Sequence, residues 1–109
     1  MTAGRRWTVR DRGGHEVYLT DERWEHIIDS HNHPEMSAYE EQLKEAIRSG
    51  VRQQDPLNPL KYRYTKAVED LAEDNTHIVA IVVFRSIEDE TGRLSPNNYI
   101  VTAYQKVLG

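Results

Sequence analysis

Seven consecutive residues, Ile78–Phe84 (IVAIVVF), carry no polar side chain, and five of them are β-branched. The run is far shorter than the roughly 20 residues of a membrane span. It lacks both the alternation of a half-buried strand and the 3.6-residue period of a surface helix. Such a run marks a central strand covered on both faces or nearly so, and the remaining elements must supply that cover. The chain has 109 residues, 38% of them hydrophobic, enough for one domain with a real core. With no cysteine at all, disulfides, thiolate catalysis and cysteine-bound metal clusters are excluded. Nothing reads as a membrane span or an amino-terminal signal region, so the expected location is the cytoplasm.

Short extended pieces at Arg6–Arg10 and His15–Thr20 flank Asp11-Arg12-Gly13-Gly14, a hairpin turn by composition. The first residues, 1–5, are expected to fray. Thr20 or Asp21 caps a helix whose apolar face is Trp24, Ile27, Ile28 and His31, and Pro34 ends that segment. A second helix is expected from a capping box of Ser37 and Glu40 to Gly50, with Tyr39, Leu43, Ala46 and Ile47 as its stripe. Then come strands at Val51–Asp55, Leu60–Val68, Ile78–Phe84 and Tyr99–Val107, with the polar Glu88–Asn98 as a long loop. In the last strand simple alternation puts Ile100, Thr102 and Tyr104 on one face and Tyr99, Val101 and Ala103 on the other. The expected architecture is α+β: two N-terminal helices on one face of an antiparallel sheet of about four strands, with an N-terminal hairpin.

Formal net charge is −4 and is unevenly spread. Residues 1–20 sum to +2, and residues 21–50 to −5. A polyanion would have to avoid the middle segment and use the arm or the face carrying Arg63, Lys66 and Arg85.

Three histidines, His26, His31 and His33, fall within eight residues. With Glu35 they have the donors of a metal site, but the five-residue step from His26 to His31 sets them apart around a helix. No metal or cofactor is expected. Imidazole titrates near neutrality and suits proton transfer in phosphodiester cleavage. His26 sits at the edge of the apolar helix face, and His33 and Glu35 bracket Pro34. Arg63 and Arg85 supply charge for a phosphate, Thr102 a hydroxyl donor, and Tyr62, Tyr64 and Tyr104 rings for stacking unpaired bases. The plainer alternative makes these core and edge residues, with the acidic helices and the tyrosines forming a non-catalytic protein-binding module.

Trp24-Glu25-His26-Ile27, then His33-Pro34-Glu35, a second amphipathic helix, Asp55, Tyr62–Tyr64, an apolar strand and Ile100-Val101-Thr102-Ala103-Tyr104 follow in order. Over residues 20–105 this resembles the phage and toxin nucleases of the barnase–EndoU–colicin–RelE-like fold. The resemblance implies a metal-independent, toxin-like endoribonuclease in which a ribose 2′-hydroxyl attacks the adjacent phosphate, leaving a 2′,3′-cyclic end. It implies His26 as acid or base, with His33 and Glu35 at the helix end, Arg63 or Arg85 as phosphate clamp, and Thr102 with Tyr104 on the last strand. Tyr62, Tyr64 and Lys66 would bind substrate, and an antitoxin-like protein would be the partner beside RNA.

Overall fold

Asp11 accepts the backbone N–H of both Gly13 and His15 at 2.9 Å on its Oδ1, and this closes the hairpin of β1 (Arg5–Arg10) and β2 (Glu16–Thr20). The computed structural model describes residues 4–108. Residues 1–3 of the segment expected to fray lie outside the described residues, and Arg5 already belongs to β1. Thr20 ends β2 and caps α1 (Asp21–Ile28), its hydroxyl accepting the Arg23 N–H at 3.0 Å. Asp21 and Glu22 then meet the positive end of the helix dipole.

The helix ends at Ile28, six residues before Pro34. Asp29 takes the His31 N–H on its side chain and the Asn32 N–H on its carbonyl, both at 2.9 Å, and this local turn outcompetes another helical turn. Pro34 instead opens a 3₁₀ segment, Pro34–Ala38, as its fixed φ allows. Ser37 lies inside that segment, so the expected capping box does not form, and α2 (Glu40–Ser49) starts without a side-chain cap. Gly50 closes it where a Cβ would overlap the Ala46 carbonyl oxygen.

Four strands follow: β3 (Val51–Gln54), β4 (Lys61–Ala67), β5 (His77–Glu88) and β6 (Leu94–Lys106). The segment expected as a long loop is mostly hairpin, since Arg85–Glu88 pair with Leu94–Asn97. Asp89 organises a tight turn by accepting the N–H groups of Thr91 (2.9 Å) and Arg93 (3.0 Å).

The sheet corrects the expected architecture. It has six strands in the order β1-β2-β6-β5-β4-β3 and is mixed, because β2 runs parallel to β6. The helices follow the first two strands rather than opening the chain. The hairpin extends the sheet instead of standing beside it. Val17 and Leu19 are fully buried in the common core, and the Asn98 amide donates to the Glu16 carbonyl at 3.0 Å. The parallel contact covers only Val17↔Asn98 and Tyr18↔Tyr99, leaving β6 an uncovered edge beyond Tyr99.

Both helices and the 3₁₀ segment lie on one face. Their Trp24, Ile27, Met36, Leu43, Ala46 and Ile47 pack with Val9, Tyr64, Ile78, Ala80, Val82, Ile100 and Ala103 of the strands. A register shift in β6 changes the faces of the last strand: Val82 opposes Ile100 while Ile81 opposes Thr102. Val101 is the extra residue of a bulge. Ile100 and Ala103 therefore both enter the core, while Tyr99, Thr102 and Tyr104 share the other, bare face. Among the described residues no helix is long and apolar enough to cross a membrane.

Candidate functional site

Charge separates the two layers. The helical segment carries three basic and eight acidic residues. On the bare sheet face strand alternation places Arg5, Arg10, Lys61, Arg63, Arg85 and Lys106. The one strand carboxylate there, Glu16, is paired with Arg10 at 3.0 Å. Positive charge is thus concentrated on this face and negative charge on the helical layer.

The strand register sets the spacing of the polar groups. Arg63 opposes Ile81, and Ile81 opposes Thr102, so guanidinium and hydroxyl share one row two strand spacings apart, roughly 10 Å between backbones. A cleft of about 340 Å³ adjoins this row, lined by Gln53, Asp55, Lys61, Arg63 and Ile81 among others. One step along β6, Tyr104 lies opposite Val79.

His33 reaches this face from the helical layer. Its N–H donates to the Ile27 carbonyl at 2.8 Å, and the Asn32 amide donates to the His26 carbonyl at 2.9 Å. The chain leaving α1 is thereby folded back along the uncovered edge of β6. The His33 and Tyr104 rings sit 5.6 Å apart, centroid to centroid, at 33°. Glu35 Oε2 stands 3.6 Å from His33 Nδ1, just beyond hydrogen-bond reach. Imidazole, carboxylate and phenol are thus gathered at the margin of the basic face.

The other candidates are placed as follows. His26 is exposed on the last turn of α1 and flanks the corner that leads to His33. Arg85 pairs with Asn97, four residues along β5 from Ile81 and roughly 13 Å from the Arg63–Thr102 row. Tyr62, Tyr64 and Lys66 alternate onto the helix-side face, although Tyr62 also lines the cleft beside Arg63. Tyr64 is fully buried in the core and offers no ring face to a base. Tyr62 packs on Phe84 at 4.7 Å, with the Arg52 guanidinium 4.5 Å over its ring. Among the described residues no three His, Asp or Glu side chains gather to hold a metal ion.

A second polar cluster, which pattern reading missed, lies beyond the C-terminal end of α2. Asp11 is buried, and its carboxylate accepts Tyr64 Oη at 2.6 Å and His15 Nδ1 at 3.0 Å besides the two turn N–H groups. Burial pushes the Asp11 carboxyl up, but the bonds from Tyr64 and His15 outweigh it and hold the group below the usual carboxylate range. Burial and the neighbouring carboxylate push the Tyr64 phenol far up, so it stays a donor. Arg12 caps the last turn of α2 through the Ser49 carbonyl. With every member satisfied, the cluster latches the β1–β2 turn to β4. The only sequence sign of it was an Asp and a His four apart around the Gly-Gly turn.

No family model, curated protein or solved structure matches the chain.

Proposed function

We propose that the protein is a metal-independent endoribonuclease working on the bare face of its sheet. The observation that carries this reading is His33, an imidazole beside Glu35 and stacked on Tyr104, at the edge of a basic surface that also bears Thr102 and Arg63. These are the groups that transesterification of RNA requires. A base removes the proton of a ribose 2′-hydroxyl while its oxygen attacks the adjacent phosphorus. The bond from phosphorus to the 5′-oxygen breaks, and an acid returns a proton to that oxygen. The products are a 2′,3′-cyclic phosphate and a free 5′-hydroxyl. In this assignment His33, with Glu35 and Tyr104 beside it, carries one proton, while His26, on the same corner, carries the other. Arg63 neutralises the non-bridging oxygens, and the Thr102 hydroxyl donates to one of them.

The test is incubation with a DNA oligonucleotide containing one ribonucleotide, in excess EDTA, with products resolved by size and end chemistry. Wild type is expected to cut only after the ribonucleotide and to leave a cyclic end. His33→Ala should lower the rate about 10²–10⁴-fold, and Thr102→Val about 10²–10³-fold. Uncut substrate and uncut cellular RNA under all conditions would overturn the proposal and leave a protein-binding module in its place.

A further inference from the structure

Where β2 and β6 part company after Tyr18↔Tyr99, a cleft of about 230 Å³ opens, lined by Tyr18, Thr20, Arg23, Tyr99 and Ile100. Its two tyrosines differ in freedom. Tyr18 is held from both ends: its hydroxyl donates to Asn97 Oδ1 at 2.9 Å, and the Arg5 guanidinium lies 3.8 Å from its ring centroid. Tyr99 leans on it at 6.0 Å and 42°, and among the described residues no cation covers it. Arg23 enters from the first turn of α1. Arg6 and Arg10 on β1 are both spent in ion pairs, whereas Arg5 and Arg23 make none among the described residues. Arg5 on the basic face and Arg23, reaching the gap between β2 and β6 from the helical layer, thus flank a propped aromatic ring with no ion pair of their own among the described residues. Through the β6 bulge, Tyr99 comes onto the same face as Thr102, roughly 10 Å along the strand.

We infer that this cleft is a nucleotide subsite, holding the residue of single-stranded RNA next to the phosphate that is cut. The inference rests on the proposed function and adds the substrate class, unpaired RNA, and the residues that read it. The base stacks on Tyr99, with Tyr18 and Arg5 as a fixed back wall, and the neighbouring phosphate meets Arg23. A base inside a duplex has no face free for that contact, so the subsite selects single strands.

The probe is a fluorescein-labelled octamer of fully 2′-O-methylated RNA, which binds without being cut because no free 2′-hydroxyl remains. Fluorescence anisotropy is read for wild type, Tyr99→Ala, Tyr99→Phe and Arg23→Gln at several salt concentrations. Tyr99→Ala is expected to weaken binding about five- to hundredfold, with Tyr99→Phe close to wild type. Arg23→Gln should weaken it and lower the salt slope by about one. On a cleavable RNA, Tyr99→Ala should raise KM and leave kcat in place. Equal affinity of wild type, Tyr99→Ala and Arg23→Gln for the octamer, with cleavage intact, overturns the subsite alone. A wild type that neither binds the octamer at low salt nor cuts RNA overturns the subsite and the ribonuclease reading together. Arg23→Gln alters an accessible helix side chain, so it decides the question even if Tyr99→Ala does not fold.

Discussion

Replacing Tyr64 by Phe removes one oxygen from the centre of the molecule and leaves the ring packing in place. That oxygen donates at 2.6 Å to the buried carboxylate of Asp11. A hydrogen bond to a charged group contributes about 1.5–3 kcal/mol net, and Asp11 keeps its turn N–H groups and His15. At about 2.1 cal/mol/K of unfolding entropy per residue, a chain of 109 residues loses roughly 4 °C of Tm per kcal/mol. Tyr64→Phe should therefore melt about 7–13 °C lower at pH 7, measured by circular dichroism. The pH dependence is the sharper check. The Asp11 pKa is lowered in the folded state, so its contribution is present above the ordinary carboxylate value near 4 and is lost as pH falls through the depressed one. Once Asp11 is protonated the charge-assisted bond is gone, so the gap between variant and wild type should narrow as pH falls through the depressed folded-state value. An Asp11→Asn, Tyr64→Phe double-mutant cycle isolates the pair. A drop under about 2 °C, or one that stays constant down to the lowest pH at which both proteins still fold, would refute the reasoning, because the hydroxyl would then matter only through packing.

Three further outcomes are expected. Gly50→Ala forces a Cβ against the Ala46 and Thr65 carbonyl oxygens and should cost about 1–3 kcal/mol in urea unfolding. A neutral result would show that the α2–β3 corner yields easily. Glu40 ties α2 to β1 by accepting from Arg6 and from the Trp7 indole at 2.8 Å. Arg6 holds its carboxyl below the ordinary range, so Glu40→Ala should cost about 1 kcal/mol at pH 7 and progressively less as pH falls below about 4. The steric part of the Val101 bulge is testable by deleting that residue. With Val101 gone, Ile100 still opposes Val82 and Thr102 still opposes Ile81, so Thr102 and Tyr104 keep their face and both the folded β spectrum and RNA cleavage should survive; cleavage lost in a folded variant would show that the bulge itself positions the site.

The candidate site was partly legible because its polar groups sit in local sequence. His33-Pro34-Glu35 and the Thr102–Tyr104 stretch stood out as polar groups beside apolar runs, and the structure brings His33, Glu35 and Tyr104 into contact. Tyr64 is in the core rather than at a base-stacking surface for a physical reason. Alternation shows that residues share a face without saying which face is buried, and a tyrosine serves equally in a core when a carboxylate satisfies its hydroxyl. Asp11 illustrates the same limit, since its principal partner, Tyr64, lies 53 residues away.

By itself the sequence determined the period of each element: the apolar run that had to be a central strand, the Thr20 cap, the amphipathic stripe of α2 and the Gly-Gly turn. These follow from interactions within a few residues. Only the tertiary structure decided where the first hairpin goes, because period-two alternation is identical for parallel and antiparallel partners, and docking Val17 and Leu19 beside β6 is a matter of long-range burial. It likewise decided which face carries Thr102, because a bulge is set by register against β5. Where the helices leave a face bare, the basic and aromatic groups of distant strands become neighbours.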